Sequence, residues 1–148
     1  MRERINQLFP RLQERGFEIT SPQDPGYNCV AWAAGDTSHW WWPGESPFSY
    51  WPANVNRVES LESFIDAFAT IGYEPADSSN LDDGIEKVAI FASKDGTPTH
   101  MARQLADGTW TSKLGSIEDI THVDVNGLSG TEYGNAVSFL RRRNPATA

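Results

Sequence analysis

The stretch that decides the fold is residues 28–35, which read NCVAWAAG. Asparagine is a preferred N-cap residue, and glycine often ends a helix in the left-handed conformation. The stretch therefore predicts a short helix over residues 29–34, capped by Asn28 and stopped by Gly35. Cys29 becomes the first helical residue. It is the single cysteine of the chain, so it cannot form an internal disulfide and suits a reducing compartment.

The position of Cys29 supports two interpretations. A helix N-terminus stabilises a thiolate through its unpaired amides and the positive end of its dipole, which favours a nucleophile with a pKa below the ordinary value of about 8.5. Free cysteines are also among the most buried residues and often act as small apolar fillers. The neighbouring motifs decide between a catalytic and a structural thiol.

Two further amphipathic helices flank this stretch. Apolar residues recur at helical spacing over residues 3–15, where Pro10 kinks or restarts the helix and Gly16 ends it. Residues 60–71 form the other pattern, capped by Ser60 and ended by Gly72. Helices therefore dominate the first half of the chain.

The second half favours strands. Apolar runs at residues 87–93, 97–105 and 109–114 alternate with turn signals at Asp95-Gly96 and Asp107-Gly108. A short strand is also expected at residues 17–20, and residues 133–142 fit either a strand or a helix. The order predicts one α+β domain over residues 1–148, with N-terminal helices, including the nucleophile helix, packed on a C-terminal antiparallel sheet.

His100 is the predicted partner of Cys29. It lies on the 97–105 strand, whereas His39 falls in an aromatic loop and His122 in an Asp-rich connection. A third polar group often orients such an imidazole. A two-residue turn at Asp107-Gly108 places Lys113 and Thr111 on the face of His100. A turn that also includes Ala106 places Ser112 there, and Ser112 is favoured because a lysine cannot accept the imidazole N–H. Asp119 and Asp124 lie later in the chain and could fold back to this position, and a simple dyad is a further alternative.

The segment from Gln23 to Ala33 resembles the nucleophile segment of papain-like cysteine peptidases. In that family a glutamine six positions ahead of the cysteine donates to the oxyanion. The resemblance implies that Gln23 supplies this donor together with the backbone N–H of Cys29, and that the base follows on a strand, as His100 does. The implied fold is papain-like.

A wider resemblance joins three motifs: Tyr-Asn-Cys-Val-Ala-Trp-Ala at residues 27–33, Thr-His at 99–100, and Asp-Gly-Thr-Trp-Thr-Ser-Lys-Leu-Gly at 107–115. Together they resemble a functionally uncharacterised family of small bacterial proteins. This resemblance covers most of the chain and implies a fold, but no substrate.

Tryptophans, other aromatics and prolines crowd residues 39–52. Three consecutive tryptophans cannot all face one way, which predicts that Trp41 and Trp42 line a groove beside Cys29, with Asn28 as a further substrate contact. The alternative is that these aromatics fill the core of a long loop.

Composition excludes several classes of function. The net charge of −8 argues against a nucleic-acid partner, since phosphate binding relies on a basic patch. No apolar run approaches a membrane span or a signal peptide, which predicts a cytoplasmic protein with no membrane contact. No close ligand pair of the Cys-x-x-Cys kind exists, so neither a metal nor a cofactor is expected.

The sequence thus predicts a cysteine hydrolase that acts on an amide or thioester bond, with a peptide or protein substrate. The alternative is a catalytically inactive scaffold that binds a partner protein, in which Cys29 is structural.

Overall fold

The computed structural model describes residues 2–21, 24, 26–44, 49–114, 118–130 and 132–143. Within them, the α-helices lie in the first half of the chain and most of the strands in the second. The helices are α1 (Arg2–Leu8), α2 (Pro10–Arg15), α3 (Cys29–Ala34) and α4 (Leu61–Ala69), and a 3₁₀ helix spans Val125–Leu128. The strands are β1 (Phe17–Ile19), β2 (Glu74–Ala76), β3 (Ile85–Ala92), β4 (Pro98–Gln104), β5 (Trp110–Lys113), β6 (Asp119–His122) and β7 (Asn135–Arg143).

All these strands join one sheet in the order β1-β6-β5-β4-β3-β7-β2. Each neighbouring pair is antiparallel. The long strands β3, β4 and β7 occupy the middle, and the three-residue strands β1 and β2 form the edges. Short edge strands leave few unpaired backbone groups for another chain to pair with. The predicted α+β class is confirmed.

Helices cover both faces of this sheet. On one face, called the α3 face here, α3 and α4 pack through Val30, Phe64 and Phe68 onto the sheet residues Val88, Ile90 and Met101. On the other, called the N-terminal face, α1, α2 and the 3₁₀ helix cover Ala89, Phe91, Ala102, Trp110 and Ile120. Because successive strand residues alternate between faces, a strand covered on both sides reads as a continuous apolar run, as the 87–93 segment does.

The predicted helices agree with the structure except at one end. One residue, Phe9, separates the end of α1 from Pro10, which begins α2. Gly16 then ends α2. Helix α4 has the predicted cap, since the Ser60 hydroxyl accepts a hydrogen bond from the Ser63 N–H, but it ends two residues early at Ala69. Turns at residues 70–72 replace its last predicted turn.

Strands β3, β4 and β5 lie within two residues of their predicted bounds, and residues 135–143 resolve the C-terminal ambiguity as strand β7. Two strands, β2 and β6, were not predicted. Each is short and carries charged residues or proline, so neither shows a clear alternation. Across the described residues, no helix is both long enough and apolar enough to cross a membrane.

Candidate functional site

Asn28 fixes the start of α3 and joins it to the aromatic segment. Its Oδ1 accepts hydrogen bonds from the N–H of Ala31 at 3.1 Å and of Trp41 at 3.0 Å, and its Nδ2 donates to the Trp41 carbonyl at 2.7 Å. The predicted N-cap is therefore confirmed. Both acceptor positions of this buried amide are occupied internally, and its role as a substrate contact stays a prediction.

Cys29 begins α3 as predicted, but its thiol is buried, with 6% of the residue exposed. Burial raises the pKa of Cys29 to about 11, and hydrogen bonds from backbone amides, that of Met101 first, only partly oppose this. The predicted depression of the pKa is thus wrong. A six-residue helix contributes less to the thiolate than desolvation removes. Cys29 is a protonated thiol at neutral pH.

His100 lies on β4, immediately before Met101, and is fully buried. Among the described residues, neither of its ring nitrogens has a hydrogen-bond partner, the Cys29 sulfur included. Alternation along β4 directs its side chain to the N-terminal face, where its ring contacts Phe91 at 5.3 Å and stacks on Tyr133 at 4.1 Å. Burial, and then the nearby His122, hold the pKa of His100 well below its usual range, so the imidazole is neutral.

Ser112 has a different partner from the predicted one. Strand β4 pairs with β5 in the register Arg103↔Thr111, so Ala106 joins the turn and Ser112 lies on the face of His100. Its hydroxyl, however, bonds the Nε2 of His122 at 2.8 Å, and the Nδ1 of His122 contacts the Asp124 carbonyl at 2.8 Å. A carbonyl only accepts, so Nδ1 carries the proton and the Ser112 hydroxyl donates to Nε2. Ser112 therefore does not orient His100.

A buried polar network anchors the segment that precedes Cys29. The Tyr27 hydroxyl donates to the Asp119 carboxylate at 2.6 Å. The Lys113 ammonium lies 3.8 Å from the same carboxylate and 4.7 Å from the centre of the Tyr27 ring. Burial lowers the pKa of Lys113, and the Asp119 charge opposes that shift. Sequence reasoning missed this network, although charged residues inside strands that read as buried were a visible signal.

Gln23, the predicted oxyanion donor, lies outside the described residues. Its role therefore stays a prediction. The backbone N–H of Cys29, the other predicted donor, belongs to the first turn of α3, where amides have no partner within the helix.

The aromatic segment divides between core and surface. Trp41 is 5% exposed, belongs to the core of the α3 face, and donates through its indole N–H to Asp36 at 2.9 Å. Trp42 is partly buried, packs edge-on against Phe64 at 5.5 Å and donates to Glu59 at 3.1 Å. Asn28 holds the Trp41 backbone against the cap of α3, and the role of Trp41 in a groove stays a prediction. Trp42 keeps partial exposure.

A cavity of about 610 Å³ adjoins the loop that carries Tyr133. Its walls are formed by the end of β3, the start of β7 and residues between the 3₁₀ helix and β7. They include Ala92, Lys94, Gly130, Glu132 and Asn135. Among the described residues, no cluster of three or more His, Cys, Asp or Glu side chains could hold a metal ion.

Replacing Asn28 should destabilise the fold more than removing an ordinary helix cap. Asn28→Ala removes the cap of α3 and also leaves the Trp41 N–H and carbonyl unpaired, so we expect a loss of about 2–4 kcal/mol in the free energy of unfolding. Ser60→Ala is the matched control, because it removes the cap of α4 alone and should lose about 1 kcal/mol. Urea unfolding measures both, and equal losses would contradict the proposed link to Trp41.

The buried His122 should make the fold sensitive to acid. Burial lowers the pKa of His122 from 6.5 to about 4, so the unfolded chain binds a proton more readily than the folded chain in this interval. The stability that His122 contributes above pH 6.5 is therefore lost as the pH falls towards 4. This contribution is about 3 kcal/mol of the free energy of unfolding. Urea unfolding at pH 7 and pH 4.5 should show a smaller loss for His122→Asn than for the natural protein. An unchanged loss would show that His122 is not the titrating group.

Comparison with known proteins places the chain in a family. No curated protein and no solved structure matches it. One family model, described as a domain of unknown function (DUF7689), matches residues 18–141. This match includes every strand from β2 to β6, helices α3 and α4, and both Cys29 and His100. The chain therefore belongs to the DUF7689 family.

Proposed function

We propose that the protein is a cysteine hydrolase with a papain-like arrangement, in which Cys29 attacks the carbonyl carbon of an amide or thioester and His100 is the base. The thiol proton moves to the imidazole as the new S–C bond forms. The imidazolium then returns that proton to the leaving amine or thiol as its bond to carbon breaks. Water, deprotonated by the same imidazole, finally cleaves the acyl-cysteine.

The observation that carries this proposal is the unpaired imidazole of His100. A buried polar group without a partner costs about 1–3 kcal/mol, and such groups are rare in native proteins, where a catalytic role is one explanation for them. His122 lies on the same face and has partners for both its nitrogens, so the fold can satisfy a histidine here. A base that accepts a proton from one atom and returns it to another requires at least one free nitrogen.

The second support is the contact between Cys29 and the neighbour of His100 in the chain. A backbone hydrogen bond from Met101 reaches the Cys29 sulfur, so the thiol contacts the backbone of β4 one residue from His100, while the His100 ring packs on the opposite, N-terminal face. The raised pKa of the thiol and the lowered pKa of the imidazole describe a neutral pair. We infer that proton transfer accompanies attack on the substrate and that no thiolate–imidazolium pair exists beforehand.

The charge of the protein and the groups of the site indicate the class of the substrate and not its identity. A net charge of −8 favours neutral or basic peptides through long-range attraction. Oxyanion stabilisation by the Cys29 N–H, and by Gln23 as the resemblance implies, suits an acyl group with a planar carbonyl.

A second candidate function is a partner-binding scaffold in which Cys29 is structural. The observation that favours it is the burial of Cys29 beside Val30, Ala31 and Met101, which is how a small apolar filler packs. In that case the thiol is inert until the protein unfolds.

Alkylation of the folded protein separates the two functions. A thiol with a pKa of about 11 is ionised to roughly one part in ten thousand at pH 7. Iodoacetamide should therefore modify Cys29 faster than this thiolate fraction allows only if His100 takes up the thiol proton. We expect His100→Ala to slow modification of Cys29 by about a hundredfold at pH 7.5. Peptide mapping by mass spectrometry follows the rate.

His122→Asn is the matched control, because it replaces an equally buried histidine of the same face and should leave the rate within about twofold. If Cys29 reacts only in denaturant, and at the same rate in all three proteins, the scaffold is correct and the hydrolase is not.

A further inference from the structure

Tyr133 lies on a loop that two glycines close. Gly130 and Gly134 exchange backbone hydrogen bonds at 3.0 and 2.8 Å, and Tyr133 directly precedes the second of these glycines. Gly134 has φ +72°, and a Cβ at this position would overlap the carbonyl oxygen of Ala92 on β3. Only glycine fits so close an approach. The loop is thus held against the end of β3.

The loop delivers the Tyr133 ring onto His100. The two ring planes are 10° apart and their centres 4.1 Å, which is a face-to-face stack. The Thr99 hydroxyl, next to His100 on β4, donates to the Tyr133 carbonyl, and Phe9 contacts the Tyr133 ring at 5.0 Å. Backbone and side chain of Tyr133 are therefore both tied to the strand that carries the imidazole.

Aromatic contacts are what orients the imidazole, since hydrogen bonds do not. Neither His100 nitrogen has a hydrogen-bond partner in the described part of the chain, and the ring contacts are the edge of Phe91 and the face of Tyr133. A stack fixes the plane of a ring but leaves the atoms in that plane available. A hydrogen-bonded carboxylate or amide, by contrast, would occupy one nitrogen.

The ionisation of Tyr133 is linked to that of Cys29. Burial raises the pKa of Tyr133 above its usual value, and the charge that Cys29 would carry as a thiolate raises it further. Ionisation of Cys29 would thus disfavour ionisation of the phenol that stacks on the imidazole.

We propose that Tyr133 is the positioning residue of the site, and that its stack on His100 takes the place of the hydrogen-bonding third residue that the sequence assigned to Ser112. The proposal rests on the proposed hydrolase function. The aromatic ring of Tyr133, and not its hydroxyl, orients the imidazole of His100. Phenylalanine should therefore replace it, and an aliphatic side chain should not.

Reaction kinetics test this assignment. At pH 7.5, Tyr133→Phe should alkylate at Cys29 within about twofold of the natural rate, whereas Tyr133→Leu should be about tenfold slower or more. Adding Tyr133→Leu to His100→Ala should cause no further loss, because residues that act through one another are not additive. Phe9→Leu is the control for lost packing, since it disturbs the other contact of the Tyr133 ring and leaves the stack.

The outcomes are distinguishable from failure of the hydrolase itself. If His100→Ala slows the reaction but Tyr133→Leu behaves as Phe9→Leu does, the positioning role is overturned and the function stands. If His100→Ala has no effect, the proposed function fails.

A second measurement does not depend on reactivity. Proton NMR of the His100 ring should show upfield ring-current shifts in the natural protein and in Tyr133→Phe, and loss of those shifts in Tyr133→Leu. Absence of the shifts in the natural protein would overturn the proposal even if Tyr133→Leu fails to fold.

Discussion

The side-chain amide of Asn28 is the interaction on which the rest of the structure depends. Its oxygen caps α3 and so makes Cys29 the first helical residue, and the same oxygen, together with Nδ2, holds the backbone of Trp41. Trp41 then fills the core between α3 and α4, where it contacts Phe68. The place of the thiol and the packing of the aromatic segment are thus set by one buried residue.

Burial decides the chemistry of the proposed site. Desolvation disfavours charge on a thiol and on an imidazole alike, so it raises the pKa of Cys29 and lowers that of His100. The N-terminus of α3 is too weak to reverse this. Neutral forms of both groups suit the proposed mechanism, in which protons are exchanged only once a substrate carbonyl is present. His122, by contrast, satisfies both its nitrogens within the sheet and so has a structural role.

Local signals allowed much of the fold to be predicted from the sequence. Asn28 and Gly35 set the bounds of α3, Ser60 capped α4, and apolar runs located β3 and β4. The site was less predictable, because it depends on contacts distant in the chain. The partner of Ser112 comes from β6, a strand too short and polar to recognise, and the position of Trp41 depends on an amide thirteen residues away. Tyr133 gave no signal, since its stack requires the loop closed by Gly130 and Gly134.

The central claim is that Cys29 forms a covalent acyl intermediate with the help of His100. The most direct measurement is intact-protein mass spectrometry after acid quench, with S-acetyl-N-acetylcysteamine as a simple thioester substrate. The account predicts one acetyl group on Cys29 of the folded protein, which appears before free acetate accumulates and is absent from His100→Ala over the same time. A folded protein that never acquires the acetyl group, while its unfolded form does, would contradict the account.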